Sequence, residues 1–216
     1  IATSGGMEIC HTLTSLYLEG DRDKAALLVD SKNAFNDLPR IVMFFGLKCF
    51  APYLVNGFVR KYGMAGQVAF DRDTVFLQER GCCQGDPCGP IYYACGLEFM
   101  KLQHRGVTLN LSAAEAVRTY TGVHGHAVEH RVWEHPKFPH IPDSLRVEVD
   151  TLLRDLPATD RKKLDSEVCA PDYLDDLTRI GDPETLCALF QTLDRVFAHY
   201  GQTINRSKTV LYTQNR

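Results

Sequence analysis

The chain has 216 residues, of which 44% are hydrophobic and 24% are charged, with 24 Lys and Arg against 27 Asp and Glu. This composition is typical of a globular protein with one core of ordinary size and excludes a wholly disordered chain. No apolar run approaches the roughly 20 residues that cross a bilayer, so we expect no membrane partner. A formal net charge of −3 argues against a free-standing basic nucleic-acid module.

The start of the chain and its cysteines bear on its compartment. The sequence begins at Ile1 with no charged-then-apolar leader, so we expect no signal peptide and a fragment of a longer protein. The eight cysteines include no C-x-x-C pair and lie mostly in apolar runs, which predicts reduced, buried thiols in an intracellular protein.

The first elements follow from apolar periodicity. Residues 7–19 have helical spacing and predict a first helix. The run Ala25–Val29 is continuously apolar, as in a strand buried on both faces, and Asp30 follows at its end. Residues 38–62 predict two short helices that are separated near Pro52.

The next elements are a hairpin and a longer helix. Residues 67–70 and 74–78 read as two strands joined by a tight turn. Residues 84–87 form a turn that leads into a helix over residues 87–104.

The clearest helix lies near the C-terminus. Asp182 is its predicted N-cap, Pro183 takes the first helical position and Gly201 ends it. A closing strand follows over residues 209–212.

Acidic residues stand out where an apolar strand or hairpin is expected. Asp30 ends the buried strand, and Asp175 and Asp176 are flanked by apolar residues. Adjacent carboxylates repel unless a cation is present, and Mg²⁺ prefers oxygen ligands. An isolated Asp-Asp pair is also common in surface turns, so the pair alone leaves both interpretations open.

Four motifs that occur in order are more specific. They read Leu27-Leu-Val-Asp-Ser-Lys-Asn-Ala-Phe35, Arg80-Gly-Cys-Cys-Gln-Gly-Asp-Pro-Cys-Gly-Pro90, Tyr173-Leu-Asp-Asp176 and Gly201-Gln-Thr-Ile-Asn-Arg-Ser-Lys208. Taken together, these four segments resemble the palm motifs A, B, C and D of reverse transcriptases, most closely those of non-LTR retrotransposons and group II introns. The resemblance implies an α+β palm in which a small antiparallel sheet packs on helices. Asp30 would lie on one strand and Asp175 and Asp176 on a neighbouring hairpin, with the motif B helix and the helix after Asp182 on one face.

The resemblance assigns the metal ligands. Asp30 and Asp175 would bind two Mg²⁺ ions, for which Mn²⁺ is a possible substitute. The backbone carbonyl of Ser31 would help to hold one of the ions, and Asp176 would complete the triad indirectly.

The resemblance also assigns the nucleotide contacts. Asn33 and Ala34 would offer backbone amides to the triphosphate, while Gln84 and Gly85 would line the incoming nucleotide and the template. Lys208 would be the general acid for pyrophosphate departure, or else a solvated surface lysine.

Phe35 lies five residues after Asp30, where the family packs an aromatic ring beneath the deoxyribose. Such a ring leaves no room for a 2′-hydroxyl and favours dNTPs, although a role as core filler is also compatible. RNA-directed RNA polymerases typically place an acid at this position, so Phe35 disfavours that alternative.

The function implied is that of an RNA-directed DNA polymerase of a retroelement. It would extend a DNA primer on an RNA template with dNTPs, inside the cell, in the nucleus or the cytoplasm. The fingers and thumb would belong to the remainder of a larger retroelement polyprotein. A catalytically inactive palm that serves as a nucleic-acid scaffold is the alternative from another class.

Two regions depart from the family pattern. Residues 104–170 hold six of the eight histidines and several prolines, and they would be an insertion between motifs B and C that contains one amphipathic helix. Zinc binding there is disfavoured relative to a solvated or template-facing insertion, because no H-E-x-x-H motif or nearby Cys accompanies the histidines. Around motif C, Pro171 and Asp172 precede Tyr173 where an apolar strand is expected, and the proline predicts that this strand is short, at an edge or bulged. Arg179 lies in the normally apolar second half of the same hairpin.

Overall fold

The computed structural model describes residues 6–69, 72, 74–83, 85–104, 144–145, 147–148, 151, 172 and 176–214. The chain is of the α+β class, with helices and two small antiparallel sheets. In chain order the elements are α1 (Gly6–Gly20), β1 (Ala25–Val29), α2 (Ala34–Asp37), α3 (Arg40–Phe50), a 3₁₀ turn (Pro52–Leu54), α4 (Val55–Tyr62), β2 (Gly66–Ala69), β3 (Val75–Gln78), α5 (Gly89–His104), β4 (Leu177–Gly181), α6 (Pro183–His199) and β5 (Val210–Thr213).

The chain divides into two compact units. The first unit comprises Ile1–Lys32 and Pro142–Arg216, and the second comprises Asn33–Ile141. The division falls between Lys32 and Asn33, inside the first of the four motifs.

The first unit is built on a three-stranded antiparallel sheet in the order β4-β1-β5. β1 is central because it is the most continuously apolar of the three strands; only Leu28 is exposed, by 43%. Helix α1 covers one face through a small apolar cluster of Leu18, Ala26 and Ile180. Helix α6 packs against the other face, where Leu27 lies.

Helix α6 forms as its sequence predicts. Asp182 is the N-cap in an extended conformation and Pro183 follows at the first position, where its missing N–H costs nothing. The amide of Leu186 donates to the Asp182 carbonyl at 2.9 Å. The apolar stripe of the helix is buried, and it consists of Leu186, Leu189, Leu193, Val196 and Phe197.

The second unit is a helical core with a short hairpin. Helices α3 and α5 cross so closely that a Cβ added to Gly46 would lie 2.2 Å from the carbonyl oxygen of Cys95. Around this contact the side chains form an aromatic core; Phe45 stacks on Phe99 at 5.9 Å, and Phe58 meets Tyr92 edge to face at 5.1 Å. β2 and β3 pair antiparallel.

Arg40 is the unusual member of this core, because its side chain is charged and only 6% of the residue is exposed. Its guanidinium donates to the carbonyl oxygens of Gly81, Tyr62 and Met64 at 3.1, 3.3 and 2.8 Å. It also lies 5.1 Å from the centre of the Tyr62 ring. A buried charge is tolerated only when it is well hydrogen-bonded, and Arg40 thereby ties α3 to the segments after α4 and β3.

The structure confirms most of the predicted elements and corrects some details. The first helix, β1, the two helices broken at Pro52, the hairpin, α6 and the closing strand all form, with ends within one or two residues of the prediction. Helix α5 begins at Gly89 rather than at residue 87, because Pro87 and Cys88 still belong to the preceding turn. The prediction for β1 is wrong at Leu28, which lies on the face left partly open beside α1.

The expectation of buried thiols holds for two of the seven cysteines that the structure describes. Cys82 and Cys95 are buried, and burial raises the pKa of their thiols to about 12 and about 11. Cys83 and Cys187 are exposed instead.

Two further expectations concern regions described only in part. Nearly all of the insertion over residues 104–170 lies outside the described residues, as do Pro171 and the strand expected before Asp175. In the described part of the chain, every helix is too short or too polar to span a membrane.

Candidate active site

The sheet of the first unit brings Asp30 and Asp176 to opposed positions. The β1–β4 ladder ends with Val29 across from Leu177, and one further step of that register sets Asp30 across from Asp176. Directly opposed residues of antiparallel strands share a face, with Cβ atoms about 5 Å apart. The two carboxylates therefore belong to the same face of the sheet.

Lys208 reaches this end of the sheet from an irregular turn. The pairing of β1 with β5 ends at Leu28 and Val210 and resumes at a bridge between Ser31 and Ile204. Segment 28–31 therefore lies opposite the longer segment 204–210. Three extra residues on the second segment are taken up by the turn. In it the amides of residues 208 and 209 both donate to the carbonyl oxygen of residue 205, at 3.1 and 2.9 Å.

The same turn fixes the backbone of Asp30. Its carbonyl oxygen accepts a hydrogen bond of 2.8 Å from the amide of Asn205. Its own amide donates to the hydroxyl of Thr209 at 3.4 Å. The backbone of Asp30 is thus held through both its amide and its carbonyl group, and the residue is half-buried.

Asp30, Asp176 and Lys208 all line a cleft of about 760 Å³ between the sheet and α1. Besides Asp30, Asp176 and Lys208, its lining includes Leu28, Thr178 and Tyr212 from the strands and Cys10, His11, Thr14, Ser15 and Leu18 from α1. The volume is sufficient for a ligand of nucleotide size.

The donor chemistry of the cleft suits a hard divalent cation. Two carboxylates on one face repel each other in the absence of positive charge, and Mg²⁺ takes carboxylate oxygens as ligands. The third predicted acid, Asp175, lies outside the described residues. Among the residues that are described, no cluster of three or more His, Cys, Asp or Glu side chains has metal-binding geometry.

Ser31, predicted to offer its carbonyl to a metal, is buried beside the sheet. Its hydroxyl has no hydrogen-bond partner among the described residues. Alternation along β1 sets Ser31 on the face opposite to Asp30, so its hydroxyl does not belong to the cleft.

Three predicted nucleotide-binding residues open the second unit. Asn33 has φ +48° and ψ +39°, a left-handed conformation that asparagine tolerates, and it starts the single turn of α2. Ala34 is buried. Phe35 is half-buried, with its ring 4.7 Å from that of Tyr93 on α5.

The start of the second motif packs directly against α2. The amide of Cys82 donates to the Phe35 carbonyl at 2.8 Å, and that of Gly81 donates to the Leu38 carbonyl at 3.0 Å. Gly81 has φ +66°, and a Cβ there would lie 2.3 Å from the Phe35 carbonyl oxygen. Only glycine fits this contact, which fixes the backbone of Phe35.

The turn that follows carries Gly85, which is exposed with φ +86° and has no atom within 4 Å of an added Cβ. Gln84 lies outside the described residues. Beneath the turn Asp86 is buried and accepts hydrogen bonds from the Tyr62 hydroxyl and from the Cys88 amide, the latter at 3.0 Å. Lys61 completes the set with an ion pair of 2.9 Å.

The titration of these groups follows from their contacts. Burial alone raises the pKa of Asp86, but hydrogen bonds from Tyr62 and Lys61 outweigh it and hold the pKa below its ordinary value. Burial, together with the hydrogen bond to Asp86, raises the pKa of Tyr62 well above its usual range. The carboxylate is therefore ionised and the phenol protonated at neutral pH.

Two of the residues that depart from the expected apolar pattern around motif C are paired with each other. Arg179 lies on β4 with only 5% of its surface exposed, and its guanidinium forms an ion pair with Asp172. The same carboxylate accepts a hydrogen bond of 3.2 Å from the amide of Thr178. A buried arginine at an expected apolar position is thus paired with the acid that departs from the pattern on the other side of the motif.

The structure separates the predicted site residues into two sets. Asp30, Asp176 and Lys208 meet at the cleft of the first unit, and Asn33, Ala34, Phe35 and Gly85 belong to the second unit. Sequence reasoning missed the α1 residues of the cleft, although the spacing of Cys10, Thr14 and Leu18 gives them one helical face. It also missed Asp86 and Tyr62, for which a sequence offers no sign of burial.

No protein-family model matches the sequence. No curated protein matches it with significance either.

Proposed function

We propose that this chain is a reverse transcriptase palm that transfers nucleotides from dNTPs to the 3′-hydroxyl of a primer on an RNA template. The observation that carries the proposal is the convergence of Asp30, Asp176 and Lys208 on one cleft. These residues come from three of the four motifs and are up to 178 positions apart in the chain, so their meeting is not a consequence of sequence proximity.

The roles of the acids follow from their charge and placement. Bound Mg²⁺, or Mn²⁺ in its place, would activate the primer hydroxyl and neutralise charge on the phosphates. Asp30 and Asp176 would hold the ions, together with Asp175 as the resemblance implies. The Asn205 amide donates to the Asp30 carbonyl and the Asp30 amide donates to the Thr209 hydroxyl, so the backbone that carries this carboxylate is fixed before substrate arrives.

Lys208 contributes a positive charge to the lining of the cleft. Its ammonium group can donate a proton to the departing pyrophosphate, a step that typically contributes 10²–10⁴-fold to a rate. The turn that carries it is bonded to Asn205, whose own amide holds Asp30. The general acid and one metal ligand therefore share a backbone support.

Phe35 supports DNA rather than RNA as the product. Its ring lies on Tyr93 at 4.7 Å, and its backbone is fixed by the contact with Gly81. A ring held in this way would exclude a 2′-hydroxyl by steric contact, whereas it offers no acceptor for one.

Primer extension tests the proposal. The 216-residue chain, and in parallel the longest natural product of its gene, is incubated with a DNA primer on an RNA template, dNTPs and Mg²⁺. We expect extension that Asp30→Asn and Asp175→Asn abolish. Glu184→Gln is the matched control, because it removes an exposed carboxylate from α6 outside the cleft and should leave extension unchanged.

The alternatives have their own signatures in this assay. Extension with NTPs in preference to dNTPs would identify an RNA polymerase. Binding of the primer–template by both proteins without any extension would identify an inactive scaffold. Extension that survives Asp175→Asn would refute the assigned site.

A further inference from the structure

The turn after β3 is held at both ends by one buried pair of side chains. Tyr62, the last residue of α4, accepts a hydrogen bond of 3.2 Å from the amide of Cys83, where the turn begins. Its hydroxyl donates to one carboxylate oxygen of Asp86. The other oxygen of Asp86 accepts from the amide of Cys88, where the turn ends, at 3.0 Å.

We propose that Tyr62 and Asp86 are positioning residues that clamp this turn in the conformation in which it contacts the incoming nucleotide and the template. The inference rests on the proposed function, which assigns those contacts to Gln84 and Gly85. Neither Tyr62 nor Asp86 touches the substrate in this proposal; they act through the backbone of the turn.

The burial of Asp86 argues for a geometric role. Its side chain is only 2% exposed, and burying a carboxylate costs free energy that its partners regain only with good geometry. A hydrophobic residue would fill the same volume without that cost. A carboxylate, unlike such a residue, accepts hydrogen bonds from the Tyr62 hydroxyl, the Cys88 amide and the Lys61 ammonium group.

The turn itself needs such support. Gly85 is exposed with φ +86°, and a Cβ added there would meet no atom within 4 Å, so packing does not confine this part of the turn. A backbone hydrogen bond from the Asp86 amide to the Cys83 carbonyl spans it at 3.1 Å. Tyr62 is in turn fixed by its ring, which lies 5.5 Å from that of Phe58. Through Tyr62, the aromatic core therefore supports the exposed turn.

The test compares Tyr62→Phe with Val59→Ala. Tyr62→Phe removes the hydroxyl and keeps the ring in the core. Val59→Ala removes buried volume from the same helix, one turn earlier, without touching the turn. Lys61→Met, which removes the third donor to Asp86, is compared with Arg60→Met, its exposed neighbour.

Two readouts are taken on the full chain. In steady-state primer extension we expect Tyr62→Phe to raise KM for dNTP about tenfold with kcat changed less, the factor expected for one lost charge-assisted hydrogen bond. Val59→Ala should leave KM within about twofold. In amide hydrogen exchange followed by NMR, we expect faster exchange at Cys83 and Cys88 in Tyr62→Phe and unchanged exchange there in Val59→Ala.

The outcomes separate the two proposals. Unchanged exchange at both amides in Tyr62→Phe overturns the clamp. Faster exchange with an unchanged KM would mean that Tyr62 and Asp86 hold the turn but that the turn does not position the nucleotide, and this result overturns the inference. Equal rises in KM for Tyr62→Phe and Val59→Ala would mean that Tyr62 contributes only to the stability of the fold, which also overturns the inference. If the unsubstituted chain extends no primer, the proposed function fails, and the exchange rates alone then decide the clamp.

Discussion

Gly81→Ala should destabilise the chain by an amount that the structure allows us to divide into parts. The residue has φ +66°, and alanine in the left-handed region costs about 1–2 kcal/mol relative to glycine. Its Cβ would lie 2.3 Å from the Phe35 carbonyl oxygen and 2.4 Å from the Asn36 Cα, so the backbone of α2 must move. Forcing extra volume into a packed site costs about 1–3 kcal/mol more.

Gly85→Ala is the matched control, because its φ of +86° carries a similar strain and an added Cβ meets no atom within 4 Å. Alanine also restricts the unfolded chain, which offsets about 0.4–1 kcal/mol of the strain in both variants. The sum predicts a loss of about 1–4.6 kcal/mol for Gly81→Ala and of at most about 1.6 kcal/mol for Gly85→Ala.

Urea unfolding, followed by circular dichroism, measures both free energies of unfolding with the slope m as a check on the two-state transition. The larger loss at Gly81 should be accompanied by altered tyrosine fluorescence, because a shift of the Phe35 backbone also moves the ring that packs against Tyr93. Equal losses in the two variants would refute the conclusion that close packing against α2, rather than backbone conformation, requires glycine at this position.

Four further predictions concern the site and its supports. Phe35→Ala should raise the incorporation of NTPs relative to dNTPs at least about tenfold in a competition assay, and an unchanged ratio would leave the ring as core filler. Lys208→Ala should lower kcat about 10²-fold with little change in the KM for dNTP, and loss in KM alone would assign it to substrate binding instead. Arg179→Met should lower the free energy of unfolding in urea by about 3 kcal/mol, while adding Asp172→Asn should recover part of it; no recovery would show that the pair is not coupled. The pKa of Asp86 in the folded chain lies below the ordinary 3.8, so its stabilisation is present above about pH 4 and is lost as the pH falls through the folded pKa. Thermal melts from pH 2 to 6 should therefore show a shallower acid dependence for Asp86→Asn, and parallel curves would contradict the depressed pKa.

The candidate site was predictable in its members more than in its arrangement. Asp30 could be assigned from sequence because a lone acid that ends a continuously apolar run is poor core material. The meeting of Asp30 with Asp176 depends on strand register, which no local pattern specifies across the 146 positions between them. Lys208 likewise reaches the cleft only because three extra residues before β5 form a turn.

The burial of polar and charged residues does not follow from the sequence. Arg179 departs from the apolar pattern expected in the hairpin, and the structure shows it buried and paired with Asp172. No pattern in the sequence marks Arg40, Tyr62 and Asp86 as buried residues. Their burial follows from partners that are brought together by packing of the second unit, and the identity of those partners is not contained in neighbouring sequence.

By itself, the sequence predicted most of the helices and strands, and the resemblance of its motifs predicted the α+β class and the acids, the lysine and the aromatic residue of the candidate site. Periodicity and capping are local properties, since they depend on residues within a turn or two. Only the tertiary structure decided that α1 presents Cys10, Thr14 and Leu18 to the cleft, although its other face carries the exposed Ile9 and Leu16. The physical reason is that the side of a helix that faces the core depends on the open face of the sheet against which it packs, and that face is formed by strands distant in the chain.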